Sequence, residues 1–290
     1  MTLVQSPHWP VLIDVYFFLG GLAGGAFVLA TIANLLDARR FRDVSRVGYY
    51  LALAALIPCP IILIVDLGVP LRFMNMMRTF NPLSPMSMGA WALLGFSACA
   101  FLAASMTFLE DAGRARNLSR PKVVVGVVGG FFGFFLAAYP GVLLSATAQP
   151  LWTGGHALGA LFLAVGASTG AAAMALIFML VGRRGADGVV TLRMMLVLAL
   201  LIQLLSLVVF VASVQGYGSA ASLRALATLT SGSFSLTFWL GAIAVGSVLP
   251  LLIGLVNLKQ RSPGLTALAS VLVLIGGFLV KFVIVAAGQA

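Results

Sequence analysis

The chain has 290 residues, 61% of them apolar and only 8% charged, whereas an ordinary soluble domain is roughly a quarter charged. A mean hydropathy of +1.12 places it in a membrane and excludes the soluble classes. Its formal charge of +10 comes from 17 Lys and Arg spread between long apolar runs; they build no basic face for a nucleic acid, so the charge reads as membrane topology.

A membrane helix needs about 20 mostly apolar residues to cross a hydrocarbon core of roughly 30 Å. Eight continuous apolar runs meet that length, at about residues 11–36, 48–67, 88–109, 123–147, 157–181, 192–214, 232–256 and 265–287. None alternates with period two, which favours helices over a barrel of strands. The predicted fold is an all-α membrane protein of eight transmembrane helices, a single domain over residues 1–290. No Lys or Arg precedes Val11, so the first run lacks the basic start of a cleavable signal peptide and is expected to be a retained span. That run carries Gly20, Gly21, Gly24 and Gly25, and the fifth carries Gly166, Ser168 and Gly170. Small faces of this kind allow close helix contact. As each opens a set of four, the helices can be divided into two four-helix bundles.

Short loops rich in Lys and Arg stay cytoplasmic. Arg39, Arg40, Arg42 and Arg46 follow the first span, and Arg114, Arg116, Arg120 and Lys122 the third. Arg183, Arg184 and Arg193 follow the fifth, and Lys259 and Arg261 the seventh. The opposite side has only Arg72, Arg78 and Arg224. Both termini are therefore expected outside a bacterial or archaeal inner membrane. The longest outer connections, 68–87 and 215–231, are long enough to be interaction surfaces.

Polar residues inside a bilayer are costly and mark candidate sites. They collect on the outer side: Asp14 and Tyr16 in the first span, Asp66 closing the second, and Tyr139 in a Tyr139-Pro140-Gly141 step expected to break the fourth. Gln149, Trp152 and His156 follow, and Lys281 and Gln289 end the eighth. At 1.5 Å per residue, Tyr139 lies about 12 Å inside Thr147 and Lys281 about 12 Å inside Gln289. Pro58 and Pro60 flank Cys59 and are expected to disturb the second span. Together these describe an apolar pocket opening outward with a carboxylate, a phenol and an ammonium, which suits a quinone ring and its isoprenoid tail. Each residue also has a plainer reading. Tyr139 can be a core tyrosine, Asp66 can cap its helix or pair with Arg72, Lys281 can snorkel outward, and Tyr16 can belong to an interfacial aromatic belt. Cys59 and Cys99 stand alone, so no disulfide, metal or iron–sulfur cluster is expected in this chain. A b-type haem would use both His8 and His156, which are expected at the surface.

The strings Tyr16 to Gly25, Asp66 to Phe73, Asn81 to Trp91 (NPLSPMSMGAW), Tyr139 to Ser145 (YPGVLLS), Pro150-Leu151-Trp152 and Lys281 to Gln289, with His8-Trp9 ahead of them, resemble the NrfD/PsrC family. Its members are integral membrane subunits of polysulfide-reductase-type respiratory complexes. The resemblance covers essentially the whole chain. It implies a subunit that takes a quinone or menaquinone as substrate and holds no haem or cluster of its own. It also implies a ferredoxin-like iron–sulfur partner joined to a molybdopterin oxidoreductase or a multihaem cytochrome. Position by position, Tyr139 matches the family's quinone-contacting tyrosine and Asp66 its acidic residue at the end of the second span. Tyr16 stands where some members have histidine. Lys281 stands where many have arginine, keeping the charge without the bidentate guanidinium. Tyr139 and Asp66 are thus the candidates for proton chemistry, and Tyr16, Asp14, Arg72, Lys281 and His156 for quinone binding. The competing readings are a transporter using Asp14, Asp66 and Lys281 as a charge pathway, and a purely structural anchor.

Overall fold

A computed structural model describes residues 9–69, 71, 73–114, 118–181 and 186–290. Its elements run α1 (Val11–Asp37), α2 (Arg42–Leu56), α3 (Pro58–Asp66), α4 (Phe73–Arg78), α5 (Pro85–Asp111), α6 (Ser119–Ser145), α7 (Pro150–Thr153) and α8 (Leu158–Leu180). There follow α9 (Ala186–Tyr217), α10 (Ala220–Thr230), a π-helix (Thr237–Val248), α11 (Leu249–Gln260) and α12 (Pro263–Gln289). No strand occurs among the described residues. Eight segments among them are long and apolar enough to cross a membrane: α1, α2 with α3, α5, α6, α8, α9 from Gly188, the π-helix with α11, and α12. The eight-span expectation holds, and the chain is a multi-pass integral membrane protein. Its outward side chains are apolar, as a lipid solvent demands. Phe131 is 70% exposed, and Leu205 and Val208 are each 64% exposed.

The centre is formed by α1 and α8. In their most apolar stretches 67% and 78% of residues are buried, against 33% in the second and seventh spans. Glycine backbones make this contact possible, because a Cβ on Gly25 would run into the Gly166 carbonyl and one on Gly170 into the Ala26 backbone. A side chain at either position would push α1 off α8. On one flank α2 and α6 pack on α1 with α5 between them; on the other, α9 and α12 pack on α8 with α11 between them. Two sets of four are thus fused along the α1–α8 seam.

Of the prolines, Pro58 does interrupt its span: α2 ends at Leu56, and α3 restarts at Pro58. Pro140 does not. It lies inside α6, which is continuous from Ser119 to Ser145, so the expected break at Tyr139-Pro140-Gly141 is corrected. An intramembrane proline removes one backbone donor and is tolerated where neighbouring helices hold the segment. Gly141 provides that support, since a Cβ there would strike the Leu158 carbonyl and the Gly159 nitrogen. The outer connections carry α4 and α10, and the seventh span starts at Thr237, not near residue 232.

With antiparallel neighbours, α1 begins and α12 ends at one membrane face, the termini face. The other face is rich in arginine. There Arg46 pairs with Asp111, Lys122 pairs with Glu110, and Tyr50 donates to Asp111 at 3.1 Å. His8, Arg72, Arg116, Arg183 and Arg184 lie outside the described residues.

Candidate functional site

The site is built from the start of α5 upward. Asn81 accepts from the Leu83 N–H at 3.0 Å, Ser87 Oγ accepts from the Asn81 N–H at 3.0 Å, and Ser84 caps the helix by accepting from the Ser87 N–H. Pro85 takes the first helical position, where its missing donor costs nothing. One turn on stands Gly89. A Cβ at that position would overlap the ring and hydroxyl of Tyr139, so Gly89 is the notch that admits the phenol. From the other side Phe135, one turn below Tyr139 on α6, stacks on its ring at 5.9 Å and 22°. Tyr139 is 6% exposed, and its hydroxyl has no hydrogen-bond partner among the described residues.

Tyr16 on α1 is buried beside Tyr139 and Cys59, within electrostatic reach of both. Its hydroxyl likewise lacks a partner among the described residues. Lys281 on α12 completes the cluster. It is fully buried, its Nζ donates to the Phe17 carbonyl of α1 at 2.6 Å, and the same ammonium lies 5.2 Å from the Phe162 ring centroid. Gly21 leaves the space, since a Cβ there would collide with Nζ. The ammonium therefore does not snorkel to water: a carbonyl and an aromatic face hold it inside the bundle. Asp14, half a turn before Tyr16, is 2% exposed and its Oδ1 is buried without a partner among the described residues.

Toward the termini face, Trp9 donates its backbone N–H to Gln289 Oε1 at 2.6 Å and Trp152 Nε1 donates to the Ile284 carbonyl at 3.0 Å. Their rings meet edge-on at 6.4 Å. The family-like strings at both ends of the chain and after α6 thus join in one cap. Between α5 and α6 an apolar cavity of about 440 Å³ is walled by Phe80, Met88, Trp91, Phe131, Phe132 and Phe135. Phe135 both lines it and stacks on Tyr139.

Tyr16, Tyr139 and Lys281 therefore come together; Asp14 is buried on the same helix as Tyr16, half a turn away, without a hydrogen bond or ion pair to them among the described residues. Asp66 and His156 do not join them. Asp66 is exposed at the end of α3, with no partner among the described residues, and His156 is exposed with its ring edge-on to Tyr217 at 6.0 Å. Arg72 lies outside the described residues. Sequence reasoning missed Gly89, Gly21, Phe162 and the Phe17 carbonyl. Gly89 had a local signal in the Asn81 to Trp91 string, as Phe17 and Gly21 had in the Tyr16 to Gly25 string; Phe162 had none.

The family model described as Polysulphide reductase, NrfD, matches residues 3–290. The chain belongs to the NrfD family. The C subunit of polysulfide reductase from Wolinella succinogenes is 28% identical, the match taking in 97% of this chain and 94% of that protein. The Protein NrfD homolog of Haemophilus influenzae is 27% identical over the same shares. A shorter match, 29% identical over 30% of this chain and 22% of the relative, is to the Hdr-like menaquinol oxidoreductase integral membrane subunit of Archaeoglobus fulgidus. In this NrfD protein the Asn81 to Trp91 string has a physical account: it caps α5 and cuts the notch for Tyr139.

Proposed function

We propose that this chain is the quinone-binding membrane subunit of a multi-subunit respiratory oxidoreductase. It exchanges electrons between a quinone, menaquinone among them, and an iron–sulfur partner. The observation that carries the reading is Tyr139: a buried residue whose ring is oriented by Gly89 and Phe135, whose hydroxyl has no hydrogen-bond partner among the described residues, and which lies within electrostatic reach of Tyr16. Buried polar groups are normally hydrogen-bonded, so an oriented exception calls for a ligand atom. A quinone ring oxygen meets that need, and the apolar cavity that Phe135 lines suits an isoprenoid tail. The printed names of the relatives, a polysulfide reductase subunit and a menaquinol oxidoreductase subunit, agree with this class.

Quinol oxidation releases two electrons and two protons. In this reading Tyr139 hydrogen-bonds the ring oxygen that loses its proton. The Lys281 amino group, held at the Phe17 carbonyl, is a donor beside the reacting ring, with Tyr16 as a second hydroxyl. Asp14 is the buried carboxylate nearest in sequence to Tyr16, and Asp66 stands at the water boundary to take protons away. Electrons leave toward the termini face, where α4, α7 and α10 offer a surface for a ferredoxin-like iron–sulfur subunit carrying a molybdopterin oxidoreductase or a multihaem cytochrome. Residues 1–290 act as one NrfD-like unit in an inner membrane with both termini outside, a reading supported by the basic loops.

The test is purification of the native complex through a tag on this chain. An iron–sulfur protein should copurify, and Tyr139→Phe should cut quinone-linked turnover while a dye acting at the partner still turns over. Normal quinone turnover in Tyr139→Phe would favour the structural-anchor reading. Solute transport by the isolated chain, with no redox partner, would favour the transporter.

A further inference from the structure

On the arginine-rich face, away from the quinone cluster, the ends of α1, α2, α5 and α6 enclose a cavity of about 620 Å³. That volume is within the roughly 300–1,000 Å³ typical of small-ligand pockets. Its walls include Arg39, Arg42, Arg46, Lys122, Asn34 and Thr107, with Glu110 and Asp111. These carboxylates are already engaged, Asp111 with Arg46, which Asp43 also approaches at 3.6 Å, and Glu110 with Lys122. Arg42 has no carboxylate partner among the described residues. Two donors in this wall are buried and unpartnered among the described residues, Asn34 Nδ2 and Arg46 Nε, and Asn34 is only 8% exposed. Unmet buried donors beside an excess of positive charge require an anionic acceptor.

The rim says which kind. Asn34 lies three residues, about 4.5 Å, inside the end of α1, and Thr107 about 6 Å inside the end of α5. This is headgroup depth. Beside them the same helix ends present Leu35 at 53% exposure, Leu36 at 67% and Phe108 at 57%, all apolar and sideways to the bilayer. A water-soluble anion has no use for that apolar flank. An amphiphile has, because its phosphate can sit among the basic groups while its acyl chains run along Leu35, Leu36 and Phe108. We infer that this cavity is a binding site for the phosphate headgroup of an acidic phospholipid, clamped between the first four spans. Basic pockets between transmembrane helices are known to take such headgroups.

The test uses the full chain, purified in detergent with an equimolar mixture of phosphatidylglycerol and phosphatidylcholine, the retained lipid being counted by mass spectrometry. Wild type should retain phosphatidylglycerol in preference by about fivefold or more, the worth of one well-placed basic group. Arg42→Glu, at an exposed side chain whose loss leaves the fold intact, and Asn34→Leu should each abolish the preference. Arg224→Glu, on the other face, should keep it. Equal retention of the two lipids by wild type, or an unchanged preference in both Arg42→Glu and Asn34→Leu, overturns the site. A second arm compares thermal stabilisation. Phosphatidylglycerol should raise the unfolding temperature while inorganic phosphate at about 10 mM should not, and equal stabilisation by free phosphate overturns the lipid as occupant.

Discussion

Two buried polar groups of this membrane protein sit in similar surroundings and are treated in opposite ways. About 15 Å along α8, near mid-membrane, Ser168 donates to Gln203 Oε1, Gln203 Nε2 donates to Ser247 Oγ at 2.8 Å, and Ser247 donates to the Ala242 carbonyl at 2.8 Å. Both polar heavy atoms of Gln203 are used, and three helices are tied together. Nearer the termini face, Tyr16, Tyr139 and Asp14 are buried residues too, yet none has a hydrogen-bond partner among the described residues, and Asp14 Oδ1 is itself a buried atom. The satisfied network is structural by this measure, and the unsatisfied residues are the ones the proposed function assigns to a ligand. Polarity within the bilayer does not by itself mark a site; polarity left unpaired is the better pointer, although Ser270 Oγ and Trp91 Nε1 are unpaired too among the described residues and stand alone.

The sharpest way to break the comparison is Tyr139→Phe. The hydroxyl bonds nothing among the described residues, so its removal should leave stability within about 0.5 kcal/mol, as for changes away from any specific interaction. Quinone-linked turnover should fall by roughly a hundredfold, the low end for losing a positioned proton-transfer group. Thermal unfolding of the purified complex and quinol-linked turnover measure the two halves. A loss of stability matching the loss of turnover would make Tyr139 a core residue. Gly89→Ala should come next. It keeps the hydroxyl but drives a methyl into the ring, so turnover should drop about tenfold with a cost of about 1–3 kcal/mol from overpacking.

Gln203→Leu is the mirror experiment. Ser168 and Ser247 keep backbone acceptors, at the Val165 and Ala242 carbonyls, so the loss is two side-chain hydrogen bonds, about 1–3 kcal/mol of stability. Quinone turnover should stay within about twofold if the complex is assayed below its unfolding range. A hundredfold loss of turnover there, at unchanged stability, would move function into the satisfied network.

The eight spans were legible because lipid leaves the backbone no choice: about 20 apolar residues in a row must close their own hydrogen bonds. The glycines around Gly25 and Gly166 announced faces for close helix contact, but not that α1 and α8 would meet through them. The depth of Lys281 followed from helix rise, but its acceptor did not, because the Phe17 carbonyl is 264 residues away and every residue has a carbonyl. Pro140 misled because a proline's effect depends on what packs against it, here Leu158 and Gly159 against Gly141. The π-helix over Thr237–Val248 left no trace, since a uniformly apolar run reads alike at any helical pitch. The unmet hydrogen bond of Tyr139 was equally hidden, because satisfaction is a property of neighbours.

Asp66→Asn should have the smallest effect. Asp66 is exposed and makes no hydrogen bond or ion pair among the described residues, so stability should change by less than about 0.5 kcal/mol. In its proposed role as proton acceptor at the water boundary it is also partly replaceable, because water and buffer reach the same place. Turnover should therefore fall severalfold, less than in Tyr139→Phe, and added small carboxylate or imidazole buffer should restore part of it. That rescue is the discriminating readout, since a residue that merely shaped the end of α3 would gain nothing from buffer. A loss as deep as that of Tyr139→Phe, without buffer rescue, would show that Asp66 folds inward on quinone binding and belongs with the unsatisfied cluster.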